Sequence, residues 1–462
     1  MRISGLNVGI IADDITGACD TALQFFSTHA RSHVLMSVQR LAQREAASEQ
    51  TQDDDQVWSI NTNTRHLEAP EAKSKVKQAV ALCRDRLGLE SFYKKMDSTL
   101  RGNIAQECLG MLEAMQAECA VIAPAYPQAG RRTVGGYQLV RGIPVEKTFV
   151  ARDPLCPVRQ SHLPTLLEQQ SRPGLVGYIP LSVVLHGAGP ILVKLHELMK
   201  EGKKLVVVDA ASTEDLEQIA LSVEKAHKSA SKSIRVLPCG SAGLALALAD
   251  LWAIEPEEGL TPKSKHRLAP VKPSPILIVS GSNTDTTRQQ VFRLIENYPS
   301  HGQNSNLHIF DLPPDQVLGL SPVQSMVQQI IEALGERNTV VLSTAIDEQA
   351  YAHTVSLAQE HKITEHEASL KAQAVLGYIA AEVTRSRPVK LVLAGGETTA
   401  QVCETLGVKE LELLAEADES IPLMRDSLDR WIVTKSGGFG SPMALVNVVK
   451  FIKQHESSSV HA

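Results

Sequence analysis

The sequence predicts an α/β protein of two domains, each a mainly parallel sheet flanked by helices. Three observations favour this class. The chain has 462 residues, more than a single hydrophobic core usually serves. Short β-branched apolar runs recur, each followed by a loop and a segment of helical period, which is typical of parallel α/β sheets. The alternation stops once and then restarts, which indicates a domain boundary.

The first half of the chain supplies six strand predictions and six helix predictions. Apolar runs predict the strands, at 7–12, 57–62, 91–96, 120–125, 204–209 and 234–238. Amphipathic segments between them predict helices at 18–28, 70–88, 103–117, 190–201, 213–227 and 241–252. Because strands and helices alternate, we expect a parallel sheet here.

The break in the pattern is the segment IEPEEGLTPKSKHRLAPVKPSP at 254–275, which is rich in proline and charge. We interpret it as a linker between a domain at 1–253 and a domain at 276–462. In the second domain the strand predictions resume at 276–280, 339–344, 389–395 and 431–437. Both domains are therefore expected to be α/β, with the active site in the cleft between them.

Composition argues against several classes of function. The formal net charge is -6 and aromatic residues make up 4%, so neither a phosphate backbone nor an anionic membrane is an expected partner. The seven cysteines are scattered without a CxxC pair, which favours a reducing compartment over a zinc site. No signal-peptide core or membrane-spanning run is found in the sequence. We expect a cytoplasmic protein.

Three segments of the second domain share one design, a strand followed by a loop of Gly with Ser or Thr and then a helix. They are ILIVSGSNTDTTRQQVFRLI, VKLVLAGGETTAQVCETL and WIVTKSGGFGSPMALVNVV. Glycines such as Gly395, Gly396, Gly437 and Gly438 let the backbone approach phosphate oxygens closely. A single loop would be read as a structural turn, but three together indicate nucleotide binding. The Walker A and GxGxxG patterns are absent.

The segment NVGIIADDITGACD places Asp13 and Asp14 at the end of the first strand, with Thr16 and Gly17 in the turn that follows. Two carboxylates there can accept hydrogen bonds from substrate hydroxyls, coordinate Mg²⁺ or act as a general base. The alternative is that one of them caps the next helix. We expect Asp14 to be the base and Asp13 to bind a second hydroxyl or to fix the loop.

The segment SFYKKMDSTLRGN brings Lys95, Asp97, Ser98 and Arg101 to the end of another strand. Strand alternation sends Lys95 and Asp97 to one face and Lys94 to the other. Cations and hydroxyls in this pattern suit a carboxylate or a transferred phosphoryl group. A surface ion pair beside a capped helix explains Lys94 but not the polar residues after Asp97.

A third polar segment, IAPAYPQAGRRTVGGYQLVRGIP, contains Gly130, Arg131 and Arg132. One of its arginines is expected to reach the site, and a tight glycine turn with exposed arginines is the alternative. His162 is either a site residue or a feature of a helix start. No histidine pair has zinc-ligand spacing, so no metal-ligating residue is assigned.

Together these motifs resemble the four-carbon acid sugar kinase family over nearly the whole chain. The resemblance rests on IIADDITGACDTA, KKMDSTLRGN, APAYPQAGRRTVGGYQLVRGIPVEKT, ARDPLCPVRQSHLPTLL, AGGETTA and KSGGFG, and is nearer to D-threonate or D-erythronate kinases than to 3-oxo-tetronate kinases. GRRTVGG departs from the family, which commonly has one arginine before the threonine.

The resemblance implies ATP-dependent phosphorylation of the terminal 4-hydroxyl of a tetronate, with Mg²⁺ bridging the ATP phosphates. The acid would bind the first domain, at Thr16, Lys95, Asp97, Ser98, Arg101, Gly130 and Arg131. ATP would bind the second domain, at Ser280 or Ser282, Gly395, Gly396, Glu397, Thr398 and Gly437 or Gly438. A homodimer is a further option. The competing hypotheses are a 3-oxo-tetronate kinase and a non-catalytic sensor of acid sugars or nucleotides.

Overall fold

A computed structural model describes residues 7–26, 31–43, 56–153, 155–228, 235–252, 268, 271–281, 284–298, 306–335 and 338–456. The chain divides into two compact units, Met1–Glu255 and Pro256–Ala462, here called the N-terminal and C-terminal units. Most of the predicted linker, 254–267 with 269 and 270, lies outside the described residues. The domain limits at 253 and 276 therefore stay predictions.

The described strands of the N-terminal unit are β1 (Asn7–Ala12), β2 (Arg31–Leu35), β3 (Gln56–Asn61), β4 (Ser91–Lys95), β5 (Cys119–Ala123), β6 (Arg131–Val134), β7 (Tyr137–Val140), β8 (Ile143–Pro144), β9 (Val176–Ile179), β10 (Leu205–Val208) and β11 (Val236–Gly240). Its helices are α1 (Ile15–Phe26), α2 (Val38–Ala42), α3 (Ala69–Leu87), α4 (Ile104–Met115), α5 (Leu163–Gln170), α6 (Leu181–Val184), α7 (Ala188–Lys200), α8 (Thr213–Lys228) and α9 (Ala242–Trp252).

The main sheet of this unit is parallel throughout its described strands, in the order β2-β3-β1-β4-β11-β5-β10-β9. Its two faces are both buried, because alternate residues of β1 enter different cores: Ile11 packs with α3 and α4, and Ile10 with α1 and α9. Strands β6, β7 and β8 form a separate antiparallel sheet.

The order of the strands positions a site. From β1 the chain adds β3 and β2 on one side and then crosses to β4 on the other. The carboxyl ends of β1 and β4 therefore flank a topological switch point, where open parallel sheets form a ligand crevice.

The C-terminal unit has described strands β12 (Ile276–Ser280), β13 (Leu307–Asp311), β14 (Thr339–Ser343), β15 (Lys390–Ala394), β16 (Glu410–Asp418), β17 (Ile421–Asp426) and β18 (Trp431–Lys435). Its helices are α10 (Asp285–Asn297), α11 (Pro314–Val317), α12 (Gln324–Ala333), α13 (Glu348–Glu360), α14 (Glu365–Ser386), α15 (Gly396–Thr405) and α16 (Ala444–Gln454).

In this unit the order is β13-β14-β12-β15-β18-β17-β16, with parallel pairing as far as β18 and antiparallel pairing beyond it. A second switch point falls between β12 and β15. These sheets confirm the predicted α/β class. None of the helices in the described ranges is long and apolar enough to cross a membrane.

Candidate active site

The acidic residues of the first motif stand at the switch point of the N-terminal unit. Ala12, the last residue of β1, pairs with Lys95, the last residue of β4, so Asp13 and Asp14 leave the sheet beside the Lys95–Asp97 segment. Both aspartates are buried. The sequence prediction that these two segments share a site is consistent with this register.

Asp14 caps helix α1. Its Oδ1 accepts a hydrogen bond from the backbone N–H of Gly17 at 2.9 Å, and its Oδ2 accepts from the Thr16 hydroxyl at 2.7 Å. Arg65 Nη1 donates to the same Oδ2 at 2.8 Å. Burial would raise the pKa of Asp14, but the charges of Arg65 and Lys95 outweigh it and hold the pKa below its usual value. The capping alternative therefore applies to Asp14, which sequence analysis favoured as the base.

Asp13 has a different environment. Its Oδ2 accepts a hydrogen bond from Arg65 Nε at 2.7 Å. Its Oδ1 is buried and has no hydrogen-bond partner within the described part of the chain. A buried carboxylate oxygen without a donor is uncommon in native proteins and indicates a place for a ligand or a strained group.

Arg65 connects the two aspartates and was missed by sequence analysis. It follows β3, which pairs with β1 with Ala12 opposite Asn61. Its side chain is 6% exposed and forms salt bridges with both carboxylates. Burial would lower the pKa of Arg65, but Asp13 and Asp14 raise it well above the usual value. The available signal was the polar segment NTNTR at 61–65, which begins at the end of the strand predicted at 57–62 and continues beyond it.

The two lysines of β4 have separate roles, as strand alternation predicted. Lys94 is fully buried and pairs with Glu107 of α4 at 2.6 Å, so it is not the surface residue of the alternative interpretation. Lys95 lies beside the start of α1, since a Cβ built on Gly17 would come within 2.8 Å of the Lys95 Nζ. The Lys95 ammonium donates to the Met96 carbonyl at 2.9 Å.

Asp97 and Arg101 form a pair that extends to Asp153. Arg101 Nε donates to Asp97 Oδ2 at 2.8 Å, and its Nη1 donates to Asp153 Oδ2 at 2.9 Å. Burial would raise the pKa of Asp97, but Arg101 and then Arg65 hold it well below its usual range. The Arg101 side chain is 21% exposed, so a ligand can still reach it. Asp153, in the ARDP motif, was not predicted as a site residue.

The structure distinguishes the two arginines of GRRTVGG. Arg131 is buried and Arg132 is exposed, because they alternate along β6. Arg131 Nη1 donates to the Ala129 carbonyl at 2.7 Å, and burial lowers the pKa of Arg131 to about 10. Gly130 has a φ of 71° and ends a short turn, so its described role is conformational.

Two further residues have mainly structural contacts. The carbonyl of Ser98 accepts a hydrogen bond from Gln138 Nε2 at 2.7 Å, which fixes the loop after β4 to β7. His162 lies directly before α5, where its Nδ1 is 2.7 Å from the Thr165 hydroxyl and its ring packs against Tyr137. These contacts agree with the helix-start interpretation of His162.

The three glycine loops of the C-terminal unit meet at its own switch point. Strands β12, β15 and β18 are neighbours, and Ser280, Ala394 and Lys435 are aligned across them. The N–H of Gly395, whose φ is 115°, donates to the Lys435 carbonyl at 2.8 Å. The loops therefore lie at one edge of the sheet, where free N–H groups of helix starts can bind phosphate.

Contacts between these loops explain the small residues. A Cβ on Gly281 would overlap the Thr398 hydroxyl, so β12 and α15 approach too closely for a side chain there. Ser280 and Thr398 are buried, whereas Gly396, Glu397, Gly437 and Gly438 are partly exposed. Ser282 lies outside the described residues, and its predicted role stays a prediction.

Comparison with known proteins identifies the family. A family model described as a sugar-binding N-terminal domain matches residues 8–248, and one described as a nucleotide-binding C-terminal domain matches residues 277–445. The D-erythronate kinase of Heliobacterium modesticaldum is 30% identical over 422 residues, covering 90% of this chain and 89% of that protein. The chain belongs to the four-carbon acid sugar kinase family. The predicted resemblance is confirmed.

Other members agree with this assignment. The D-threonate kinase of Salmonella typhimurium is 30% identical, and the alignment covers 96% of this chain and 98% of that protein. Relatives named 3-oxo-tetronate kinase are 25% to 27% identical. A Salmonella typhimurium LT2 crystal structure, provisionally described as a tRNA synthase, covers 95% of this chain and 98% of its own with a TM-score of 0.73. At 24% identity, that likeness shows the fold alone.

Proposed function

We propose that this family member is an ATP-dependent kinase that phosphorylates the terminal 4-hydroxyl of D-threonate or D-erythronate. The observation that carries the proposal is the Asp13 carboxylate, which keeps one buried oxygen without a donor from any described residue, beside a cluster of cations. The names of the relatives at 30% identity support the substrate class. Cytoplasmic location and a homodimer stay predictions.

Asp13 is the proposed base. Phosphoryl transfer needs the acceptor hydroxyl to be positioned and its proton to be accepted late in a loose transition state. Both Asp14 oxygens already accept hydrogen bonds, from Thr16, Gly17 and Arg65, whereas Asp13 Oδ1 has none in the described chain. Asp14 and Thr16 would then hold the loop in place, and Asp13 would contact the hydroxyl.

Cations around the aspartates would bind the acid. Arg101 has five N–H donors, and its described bonds to Asp97 and Asp153 use three of them. Two remain for a substrate carboxylate. Lys95 uses one of its three donors on the Met96 carbonyl and lies next to the start of α1. Together with Arg131, Ser98 and the turn at Gly130, these residues are the proposed acid site.

The C-terminal unit would bind ATP. The proposed contacts are the loops after β12, β15 and β18, with Ser280 or Ser282, Gly395, Gly396, Glu397, Thr398, Gly437 and Gly438. Within the described ranges no group of three or more His, Cys, Asp or Glu residues is arranged to hold a metal ion. We propose that Mg²⁺ arrives with ATP and is held mainly by its phosphates, whose charge it would neutralise.

A coupled assay of ADP release tests the proposal. The purified protein is given ATP and Mg²⁺ with D-threonate, D-erythronate or the corresponding 3-oxo-tetronates, and the product is located by phosphorus NMR. We expect turnover with one of the first two acids and a phosphate on the 4-oxygen. Preference for a 3-oxo acid would assign the protein as a 3-oxo-tetronate kinase. Binding of an acid or of ATP without any ADP release would favour the non-catalytic sensor.

Two variants then test the assignment of the base. Asp13→Asn keeps the size of the side chain but removes the base, so kcat should fall by ~10²–10⁴. Asp14→Asn should mainly lower thermal stability and raise KM, because it weakens the cap of α1. Near-normal turnover of Asp13→Asn with both substrates saturating would exclude Asp13 as the base.

A further inference from the structure

The loop after β18, SGGFGS at 436–441, is held through its carbonyl groups. The hydroxyls of Thr284 and Thr287 donate to the Gly437 carbonyl at 2.6 and 2.9 Å. From α10, Gln290 Nε2 donates to the carbonyls of Phe439 at 3.0 Å and Ser441 at 2.9 Å. These donors are the N-cap residue of α10 and two residues of its first two turns, so they hold the loop carbonyls towards that helix.

Lys435 also donates to carbonyls of this loop, two of which are shared with the donors above. Its Nζ donates to the carbonyls of Ser436 at 2.8 Å, Phe439 at 3.2 Å and Gly437 at 3.5 Å, and to the Thr287 hydroxyl at 3.3 Å. The side chain is 1% exposed, and no salt bridge of Lys435 is found in the described residues. Burial lowers the pKa of Lys435 to about 7. Three backbone carbonyls are thus the main stabilising partners of this buried ammonium.

The direction of the carbonyls determines where the N–H groups point. In a trans peptide the C=O of one residue and the N–H of the next point in opposite directions. Because the carbonyls of Ser436, Gly437 and Phe439 face Lys435, the N–H groups of Gly437, Gly438 and Gly440 point away from it. Within the described chain these three N–H groups make no hydrogen bond. All three belong to glycines, which lets a ligand approach the backbone closely.

We infer that Lys435 is a positioning residue of the nucleotide site, which aims the N–H groups of Gly437, Gly438 and Gly440 at the phosphates of the nucleotide. The inference rests on the proposed function, since it takes the ligand of this loop to be ATP. Successive N–H groups on one side of a loop form an anion-binding concavity. The ammonium adds positive potential beneath that concavity without touching the ligand.

The test compares Lys435→Met with Lys390→Met in the full-length protein. Lys390 is also buried, but it is the first residue of β15, at the opposite end of the strand from the glycine loops, and it pairs with Glu456. Both variants remove a buried ammonium from the same unit, so both should lower Tm. ADP with Mg²⁺ is the probe, titrated by calorimetry, and KM is measured for ATP and for the acid.

We expect Lys435→Met to weaken ADP binding by about tenfold or more and to raise KM for ATP, with KM for the acid within about twofold. Lys390→Met should leave ADP affinity within about twofold. An unchanged ADP affinity in Lys435→Met, or an equal loss in both variants, would overturn the positioning role. Lack of ADP binding by the wild-type protein would overturn the nucleotide assignment itself, which the variants alone cannot do.

If Lys435→Met does not fold, Thr287→Val tests the positioning role in its place. It replaces with a methyl group the hydroxyl that donates to the Gly437 carbonyl and accepts from Lys435. We expect a smaller loss of ADP affinity, of about threefold to tenfold. No loss would contradict the view that the fixed carbonyls of this loop set its affinity for phosphate.

Discussion

Replacing Arg65 by methionine should destabilise the N-terminal unit by about 3–5 kcal/mol at pH 7.5. Arg65 forms salt bridges with Asp13 at 2.7 Å and Asp14 at 2.8 Å, and all three side chains are nearly inaccessible to solvent. Removing the guanidinium leaves two adjacent carboxylates buried without their shared cation. The magnitude is the usual effect of breaking a buried ion pair, and it greatly exceeds that of a surface pair.

The loss of stability in Arg65→Met should become smaller as the pH falls. In the wild-type protein the pKa of Asp14 is lowered, so its ionisation stabilises the fold above the unfolded pKa of 3.8. That contribution is lost as the pH drops through the folded pKa. Without Arg65 the charge that holds down the pKa of Asp14 is gone, so Asp14 takes up a proton at a higher pH than in the wild type. That proton removes the repulsion between the two buried carboxylates. The variant and the wild type should therefore converge on acidification.

Hydrogen exchange followed by mass spectrometry measures the effect where it arises, in peptides covering β1 and α1. The matched control is Lys77→Met, which removes a cation that pairs with Glu113 at 2.9 Å on the surface of the same unit. The control should lose less than about 1 kcal/mol. A loss below that value for Arg65→Met, or the same loss at pH 7.5 and pH 4.5, would refute the reasoning.

Three other substitutions probe the two sites. Gly17→Ala would place its Cβ 2.6 Å from Asp14 Oδ1, so kcat/KM for the acid should fall by about tenfold. The control is Gly189→Ala, whose Cβ meets no atom within 4 Å, and it should stay within about twofold of wild type in the same assay. Arg101→Ala should lower kcat/KM for the acid by ~10²-fold with ADP affinity unchanged by calorimetry, and an equal loss of ADP affinity would move this arginine to the nucleotide site. The methyl group of Gly281→Ala would collide with the first turn of α15, so KM for ATP should rise severalfold while KM for the acid stays constant. The reverse pattern would contradict the proposal that ATP binds the C-terminal unit and the acid binds the N-terminal unit.

The inner parallel strands were predictable because both of their faces are buried. Such strands read as continuous apolar runs, as in VVV within β10 and LVL within β15. No strand prediction covered β2, β6, β7, β8, β9, β13, β16 or β17. In β16 and β17, ELELLAEAD and IPLMRD mix charged and apolar residues and lie outside the parallel part of the sheet. The short strand β9, VGYI, carries too few residues to show a period.

The candidate site was predictable where reactive side chains directly follow a predicted strand in the sequence. Asp13, Asp14 and Asp97 stood out because the sequence shows a strand end next to acidic residues. Arg65 also follows a strand, but its importance depends on β3 lying beside β1, and strand order cannot be read from a single sequence. For the same reason the role of Lys435, which depends on α10 packing against the loop after β18, was not visible.

The charges of the N-terminal site explain why it would recognise a sugar acid through directed hydrogen bonds. Eight of the described charged residues that interact here are four carboxylates and four cations: Asp13, Asp14, Asp97 and Asp153, with Arg65, Lys95, Arg101 and Arg131. Formal charges in this set cancel, so net charge alone gives little attraction for an anion. Affinity must then come from groups with free positions, such as the N–H donors of Arg101 and the Oδ1 of Asp13. Because those positions are fixed by buried ion pairs, the configuration of each hydroxyl of the proposed substrate would decide whether it can be bound. The proposed kinase would need this property to separate threonate from erythronate.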